Sequence, residues 1–452
     1  MEKKSVMVDL TKGNQLRLIV GFALPMFLGT LFQQFYSMVD TIIVGKMLGL
    51  NALAGVGSTA AISFMINGFV IGLCSGFAIP VAQKFGAKQE TKLRKYVGNL
   101  LWLTILFSVV MTVIIGMTTK GILVLMNTPE ETFSYAYIYI WIIFLGIPTT
   151  FLYNMTSSII RSLGDSKTPL YFLIFAALLN IVLDYVSIRY MGFSVDGPAY
   201  ATVISQLLSG LLCLLYMRKK FPILRFQKGD LRFEKHYYKR LLLIGVPMGL
   251  QYSITAIGSV VLQTAVNGLG AAPMAAITAG QRISGFCCCV FDALGATMAT
   301  YAGQNAGAKE YKRIDEGVWA ATKIGSAYAI LIFILLFLFG GEVPKIFIDG
   351  KETAVLAMTK QFLVANSLFY IPLTFVNVWR FCIQGMGFSG FAMFAGVSEM
   401  IARSLVAFLF IPVFGYIAAC YASPLAWLFA DAFLVPAFYH CIKKLKSGMG
   451  MN

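Results

Sequence analysis

Long stretches without a single Asp, Glu, Lys or Arg recur along the whole chain. Met47–Gln83 is one such stretch and Leu241–Gln281 is another. A run of about 18 apolar residues is enough to cross a hydrocarbon core roughly 30 Å thick. Inside that core every backbone N–H and C=O must be satisfied within the segment, so each run is expected to be a helix. Composition agrees. Apolar residues make up 58% of the 452 residues and charged residues only 12%, against about 25% charged in soluble domains. So few charges cannot cover the surface of a soluble protein of this length. A soluble enzyme, a secreted disulfide scaffold and a disordered chain are excluded.

Hydropathy and Gly/Pro punctuation place twelve spans near 16–44, 51–83, 96–118, 132–160, 168–190, 197–217, 240–267, 272–304, 314–340, 353–380, 389–413 and 416–441. The turn dividing the long Leu241–Gln281 run is Gly268-Leu269-Gly270-Ala271-Ala272-Pro273. The basic and polar N-terminus is followed by an apolar run too long for a signal-peptide core, so it is read as a retained first helix.

The excess of 36 Lys+Arg over 20 Asp+Glu would suggest nucleic acid in a soluble chain. Here it sets orientation, because basic loops stay on the cytoplasmic side. With the N-terminus inside, the outer loops hold only Lys46, Lys120, Arg189, Lys345, Lys351 and Lys360. Four more basic residues lie in spans, which leaves 26 of the 36 on the inside. Both termini are therefore expected in the cytoplasm. The expected location is a membrane crossed many times, with no nucleic-acid partner and a monomeric chain. Eight cysteines without CxxC or Cys/His spacing read as packing residues, and two histidines, His236 and His440, are too few for a His-based metal site.

The chain also repeats itself. LGLNALAGVG (48–57) resembles LGAAPMAAIT (269–278), VAQKFGAK (81–88) resembles AGQNAGAK (302–309), and RSLGDS (161–166) resembles QGMGFS (384–389). The spacing stays near 221–223 residues. Six spans per half is an even number, so both halves enter from the same side. The expectation is an all-α polytopic membrane protein, with two six-helix bundles related by a pseudo-two-fold along the membrane normal. The expected boundaries are an N-terminal lobe at 1–217, a basic cytoplasmic linker at 218–239 and a C-terminal lobe at 240–452. Two such bundles facing each other would enclose a central cavity suited to alternating access.

Ionisable residues within a span are costly and mark function by default. Asp40 lies about 7–8 Å from the outer end of the first helix. Asp184 sits at similar depth in the fifth, with Asn180 one turn before it on the same face. Thr202, in the sixth helix, reaches the same level. Two carboxylates, an amide and a hydroxyl suit a coupling cation, either H+ or Na+. The bland reading has Asp40 snorkelling to the interface and Asp184 bonding Asn180. Pro25, fifteen residues before Asp40, permits a kink that ion binding could exploit.

By the repeat spacing Asp40 corresponds to Val261 and Asp184 to Ala407, so the acidic layer belongs to the first half alone. In the second half, Glu399 and Arg403 are spaced to pair, and Asp292 and Asp431 are candidates for substrate contact. The 37 Phe, 21 Tyr and 21 Met suit amphipathic organic cations as cargo. Depth and position select Met26, Phe35, Tyr36, Met38, Phe151 and Met155, with Asp292, as pocket candidates. No cofactor is expected.

These residues carry a resemblance to the multidrug and toxic compound extrusion (MATE) family, on its DinF-like side. It runs through SMVDTIIVGKMLGLNALAGVG (37–57), the 83–88 and 304–309 loops, RSLGDSKTP (161–169) and LLNIVLDYV (178–186), and covers nearly the whole chain. It implies a protein of the bacterial inner (cytoplasmic) membrane, with two six-helix lobes and antiport of H+ or Na+ against organic cations. The positions matching the ion cluster are Asp40, Asn180, Asp184 and Thr202. NorM-like relatives carry acids in helices seven and ten. VPMGLQYSITAIGSVVLQTAV and FLVANSLFYIPLTFVNVW contain none here, which argues against a Na+ site in the second lobe and favours proton coupling in the first, where the cluster could also take Na+.

A GxxxxGK[ST] loop is absent, which disfavours an ATP-driven pump. Ser162-Leu163-Gly164-Asp165 lacks the first glycine of an intramembrane aspartyl protease turn. The chain is expected to be a transporter and no enzyme. The alternative is a flippase or exporter of a lipid-linked oligosaccharide or an endogenous metabolite.

Overall fold

The computed structural model describes residues 7–126, 128–346 and 351–448, and among these every regular element is helical. The first half comprises α1 (Gln15–Leu48), α2 (Leu50–Ser58), α3 (Ala60–Gly86), α4 (Glu90–Leu125), α5 (Glu130–Leu145), α6 (Ile147–Ser162), α7 (Lys167–Arg189) and α8 (Asp196–Lys220). The second half comprises α9 (Lys235–Asn267), α10 (Ala271–Gly307), α11 (Tyr311–Phe339), α12 (Thr353–Leu368), α13 (Tyr370–Gly385), α14 (Ser389–Leu405), α15 (Ile411–Phe414) and α16 (Tyr416–Lys446).

Among the described residues, ten helices are long and apolar enough to cross a membrane, counting Ser389–Phe414 as one. Two further spans are broken. The pair α5 and α6 is bent by 47°, and α12 and α13 by 50°. Counting each pair once gives twelve. Both breaks have the same cause. Pro148 sits in the first turn of α6, and Pro372 is the third residue of α13. Proline has no N–H to give and its ring clashes one turn back, so the chain restarts the helix in a new direction.

One expected span differs. Residues 51–83 are not a single helix: α2 ends and α3 begins at Thr59. The Ser58 hydroxyl donates to the Gly55 carbonyl at 2.7 Å and the Thr59 hydroxyl to the Val56 carbonyl at 2.7 Å. Two adjacent hydroxyls bonding back to the preceding turn compete with the helical ladder.

The internal repeat is written in the backbone. Positive φ occurs at Gly49 and Gly270, Lys88 and Lys309, Gly164 and Gly387, and Gly192 and Gly415. The first two pairs are 221 residues apart and the last two 223, so one two-residue insertion separates them. Lys88 and Lys309 carry the most weight, as the non-glycine residues with positive φ among those described. An L side chain enters that region at a cost, and both copies accept it at the same turn. Pro25 in α1 and Pro247 in α9 form a further pair, 222 apart.

The chain divides into two compact units. The first comprises residues 1–9 and 28–249, the second residues 10–27 and 250–452. Thus α1 changes partners directly after Pro25. Its early residues Ile19, Phe22 and Ala23 are buried in the second unit's core with Phe291, Met298 and Trp379. Leu10 is tied there too: its N–H donates to Gln304 Oε1 at 2.9 Å, and Asn305 donates to its carbonyl at 3.2 Å.

The basic stretch between the two halves is docked on the first unit. Arg94 pairs with Asp230 at 2.9 Å with both side chains buried. Lys95 pairs with Glu234 at 2.8 Å. Asn99 donates to the Arg232 carbonyl at 3.2 Å and accepts from the Glu234 N–H at 3.1 Å. Gly98 allows this approach, since a Cβ there would lie 2.3 Å from the Asp230 carbonyl oxygen.

Large apolar side chains remain exposed on the outer helices. On α4 they include Trp102, Ile105, Leu106, Val109, Val113, Ile114 and Met117. A soluble protein does not carry a continuous stripe of this kind; it is a surface for lipid. The protein is a multi-pass membrane protein.

Candidate functional site

In the first unit, three helices bring Asp40, Asn180, Asp184 and Thr202 together. From α1, Gln33, Tyr36 and Asp40 fall at i, i+3 and i+7, one stripe of a 3.6-residue helix. From α7, Asn180 and Asp184 are one turn apart, and the packing leaves them 3% and 0% exposed. From α8, Thr202 meets Asn180, whose amide donates to its hydroxyl oxygen at 3.4 Å. Asp40 and Asp184 lie near enough for the charge of one to act on the other. Tyr36 and Tyr139, the latter from α5, lie within the field of both carboxylates.

The satisfaction of this group is one-sided. Asp40 Oδ1, both oxygens of Asp184 and Asn180 Oδ1 are buried without a hydrogen-bond partner. All four are acceptors. Among the described residues, no Lys or Arg is one of the groups acting on either carboxylate. Burying two neighbouring negative charges unpaired costs several kcal/mol or more. The arrangement calls for a proton or a small cation.

Beside it lies a cavity of about 140 Å³ lined by Gln33, Tyr36, Asn67, Asn154, Asn180 and Thr202, among others. Most of its lining residues carry an amide or a hydroxyl, and two of them, Thr150 and Gln206, are joined by a hydrogen bond that Thr150 donates at 2.6 Å. A reading that weighs only ionisable residues passes over this wall. The signal available was four amides, Gln33, Asn67, Asn154 and Gln206, inside otherwise apolar spans. Tyr139 was missed because one tyrosine among 21 carries no positional mark.

The remaining candidates scatter. Tyr36 lines the cavity. Phe151 and Met155 do not: they are 0% and 2% exposed inside the first unit's apolar core. On α6 the cavity takes Thr150, Tyr153 and Asn154, and the neighbouring stripe with Phe151 and Met155 faces inward. Met38 is half-buried, Phe35 is 46% exposed, and Met26 packs against the second unit's core. Asp292 is exposed on α10 of the second unit.

In that unit Glu399 bridges two arginines, Arg380 at 3.0 Å and Arg403 at 3.2 Å. The sequence spacing pointed to Arg403 alone. Arg380 also acts electrostatically on Asp292 and Asp431.

Comparison with protein families matches residues 25–186 and 247–420 to MatE. The two matched stretches begin at Pro25 and Pro247, the repeat pair above. The chain belongs to the MATE family. A probable multidrug resistance protein, YoeA of Bacillus subtilis (strain 168), is 33% identical to this MATE chain over 347 residues, 74% of each. An FAD transporter of Shewanella oneidensis is 22% identical over 371 residues, 80% of each. Among solved structures, a multidrug resistance MATE family transporter in an outward-facing conformation superposes with a TM-score of 0.91 at 21% identity, covering 99% of both chains. This MATE protein is a transporter of the type named for multidrug resistance.

Proposed function

We propose that the chain exports amphipathic organic cations from the bacterial cytoplasm in exchange for H+ or Na+. The observation that carries this reading is the set of buried, unpartnered acceptor oxygens on Asp40, Asp184 and Asn180. An external cation binds at Asp40 and Asp184, and Asn180 and Thr202 supply neutral oxygens. Removing the uncompensated charge changes which packing of α1 is favoured. Pro25 deprives the Gly21 carbonyl of its helical donor and gives α1 a place to bend. Cargo is released outward, and loss of the ion to the cytoplasm resets the cycle. Both termini lie in the cytoplasm in this reading.

The test is Asp40→Asn, expressed in a strain lacking its own pumps. Resistance to cationic dyes should fall to the level of the empty vector at equal membrane expression. Full retention of resistance would reject the assignment. Vesicles with separately imposed proton and sodium gradients then identify the ion. The likeness to the Shewanella FAD transporter favours one second reading, export of an endogenous metabolite. Uptake of FAD into the same vesicles, unaffected by cationic dyes, would support it.

A further inference from the structure

The second unit has its own cavity, of about 140 Å³ and different chemistry. It is formed by α9, α10, α12, α13 and α16, all within residues 250–452. Leu262, Val266 and Ile277 supply aliphatic surface, and Phe362, Tyr370 and Trp427 supply aromatic faces. Polar groups are few: Gln281, Ser284, Asn366 and Ser423 with the thiol of Cys288. No lining residue is ionisable at neutral pH in the manner of Asp, Glu, Lys, Arg or His.

Three observations converge on a ligand. Tyr370 is 0% exposed, and its hydroxyl has no hydrogen-bond partner. Ser284 Oγ, on the facing helix α10, is also buried without one. A buried hydroxyl without a well-formed hydrogen bond is costly, and a ligand hydroxyl reaching these two neighbouring groups would satisfy both. The volume selects the size, since a cavity of about 150 Å³ accepts a single benzene ring. The wall itself carries no carboxylate, so an organic cation would find only aromatic faces there, whereas a neutral ring needs no counter-charge.

The repeat supplies the context. Asp40 corresponds to Val261 at a spacing of 221 and to Leu262 at the 222 spacing of Pro25 and Pro247. Asn67, on the wall of the first cavity, corresponds to Cys288 on the wall of this one. The two halves have kept a cavity at related positions and divided its chemistry. We infer that the second unit binds a neutral, single-ring hydroxylated molecule of the phenol class, between Tyr370 and Ser284 against Trp427. This site stands independently of ion coupling at Asp40.

Cys288 gives a direct readout. In a full-length variant in which the other seven free cysteines are replaced by serine, N-ethylmaleimide alkylation of Cys288 is followed in detergent. Added p-cresol should slow alkylation saturably, while benzyltrimethylammonium, a charged ring of similar size, should not. Tyr370→Phe should raise the half-protecting p-cresol concentration by about two- to tenfold, the loss of one neutral hydrogen bond. A second measurement uses otherwise native protein. p-Cresol should raise the thermal midpoint of the wild-type chain, and Cys288→Phe, which fills the cavity, should abolish that rise. Absence of protection and of a thermal shift would mean that the cavity holds water only, and would overturn the inference. Equal protection by the cation, or no effect of Tyr370→Phe, would overturn it as well.

Discussion

Asn180 gains its place by helical spacing. It stands one turn before Asp184, is nearly as buried, and donates to Thr202 while leaving its own carbonyl oxygen free. A side-chain amide can therefore turn Thr202 and present an oxygen to a bound ion at the same time. Asn180→Leu preserves volume and helix propensity but removes both. The half-saturating concentration of the coupling ion in vesicle transport should rise by about two- to tenfold, with folding unchanged by size-exclusion profile. An unaltered ion dependence would assign Asn180 a packing role. What the sequence made readable here was periodicity: Asp40, Asn180, Asp184 and Thr202 are polar residues in apolar spans, at depths that counting along helices can estimate. Tyr139 and the amide wall were not readable. A tyrosine or glutamine in a span satisfies packing as often as function, and only neighbours distinguish the two. The placement of Phe151 and Met155 in the apolar core was unreadable for the same reason, because depth in the membrane says nothing about which way a side chain faces.

At the scale of elements, proline is used in two different ways. Pro148 and Pro372 fall in the first turn of a new helix, where a missing N–H costs little, and each marks a bend of about 50°. Pro25 lies well inside the continuous helix α1, where the lost hydrogen bond is uncompensated. Just beyond it, α1 passes from the second unit to the first. Pro25→Ala should restore the helical bond and hold α1 in one shape. Transport should drop at least severalfold while the thermal midpoint stays level or rises, because helical Ala is favoured over Pro by about 3 kcal/mol. Transport at the wild-type rate would show that α1 works without bending at this residue. The break at Thr59 shows the opposite limit. Hydropathy ran straight through it, since Ser58 and Thr59 are small enough to be averaged away, yet their back-bonded hydroxyls end one helix and start the next.

For the whole molecule, the docked segment between the halves matters most. Asp230 is 3% exposed and accepts from Arg94, from its own chain at the Gln227 N–H (2.8 Å), and lies under Gly98. Arg94→Ala leaves that carboxylate buried without its cation, a loss of about 3 kcal/mol or more. The thermal midpoint should fall by several degrees, and protease cutting within 221–234 should speed up. The double variant Arg94→Ala/Asp230→Ala should recover part of the stability. Equal losses in the single and double variants would mean that the pair contributes through shape alone.

The number of spans, the helical class and the duplicated order of motifs were all determined by the sequence. Each depends on a local or additive quantity: hydrocarbon thickness against residue count, or a motif recurring at one spacing. The family resemblance rested on the same ordered motifs. Tertiary structure alone decided which residues meet. It moved residues 10–27 into the second unit, laid the basic stretch against α4 and added Arg380 to the Glu399 pair. It also faced unpartnered acceptors toward one another in the first unit and closed a charge-free cavity around Tyr370 in the second. Those outcomes depend on the rotation of each helix about its axis and on contacts between residues distant in the chain, and no window slid along the sequence contains both.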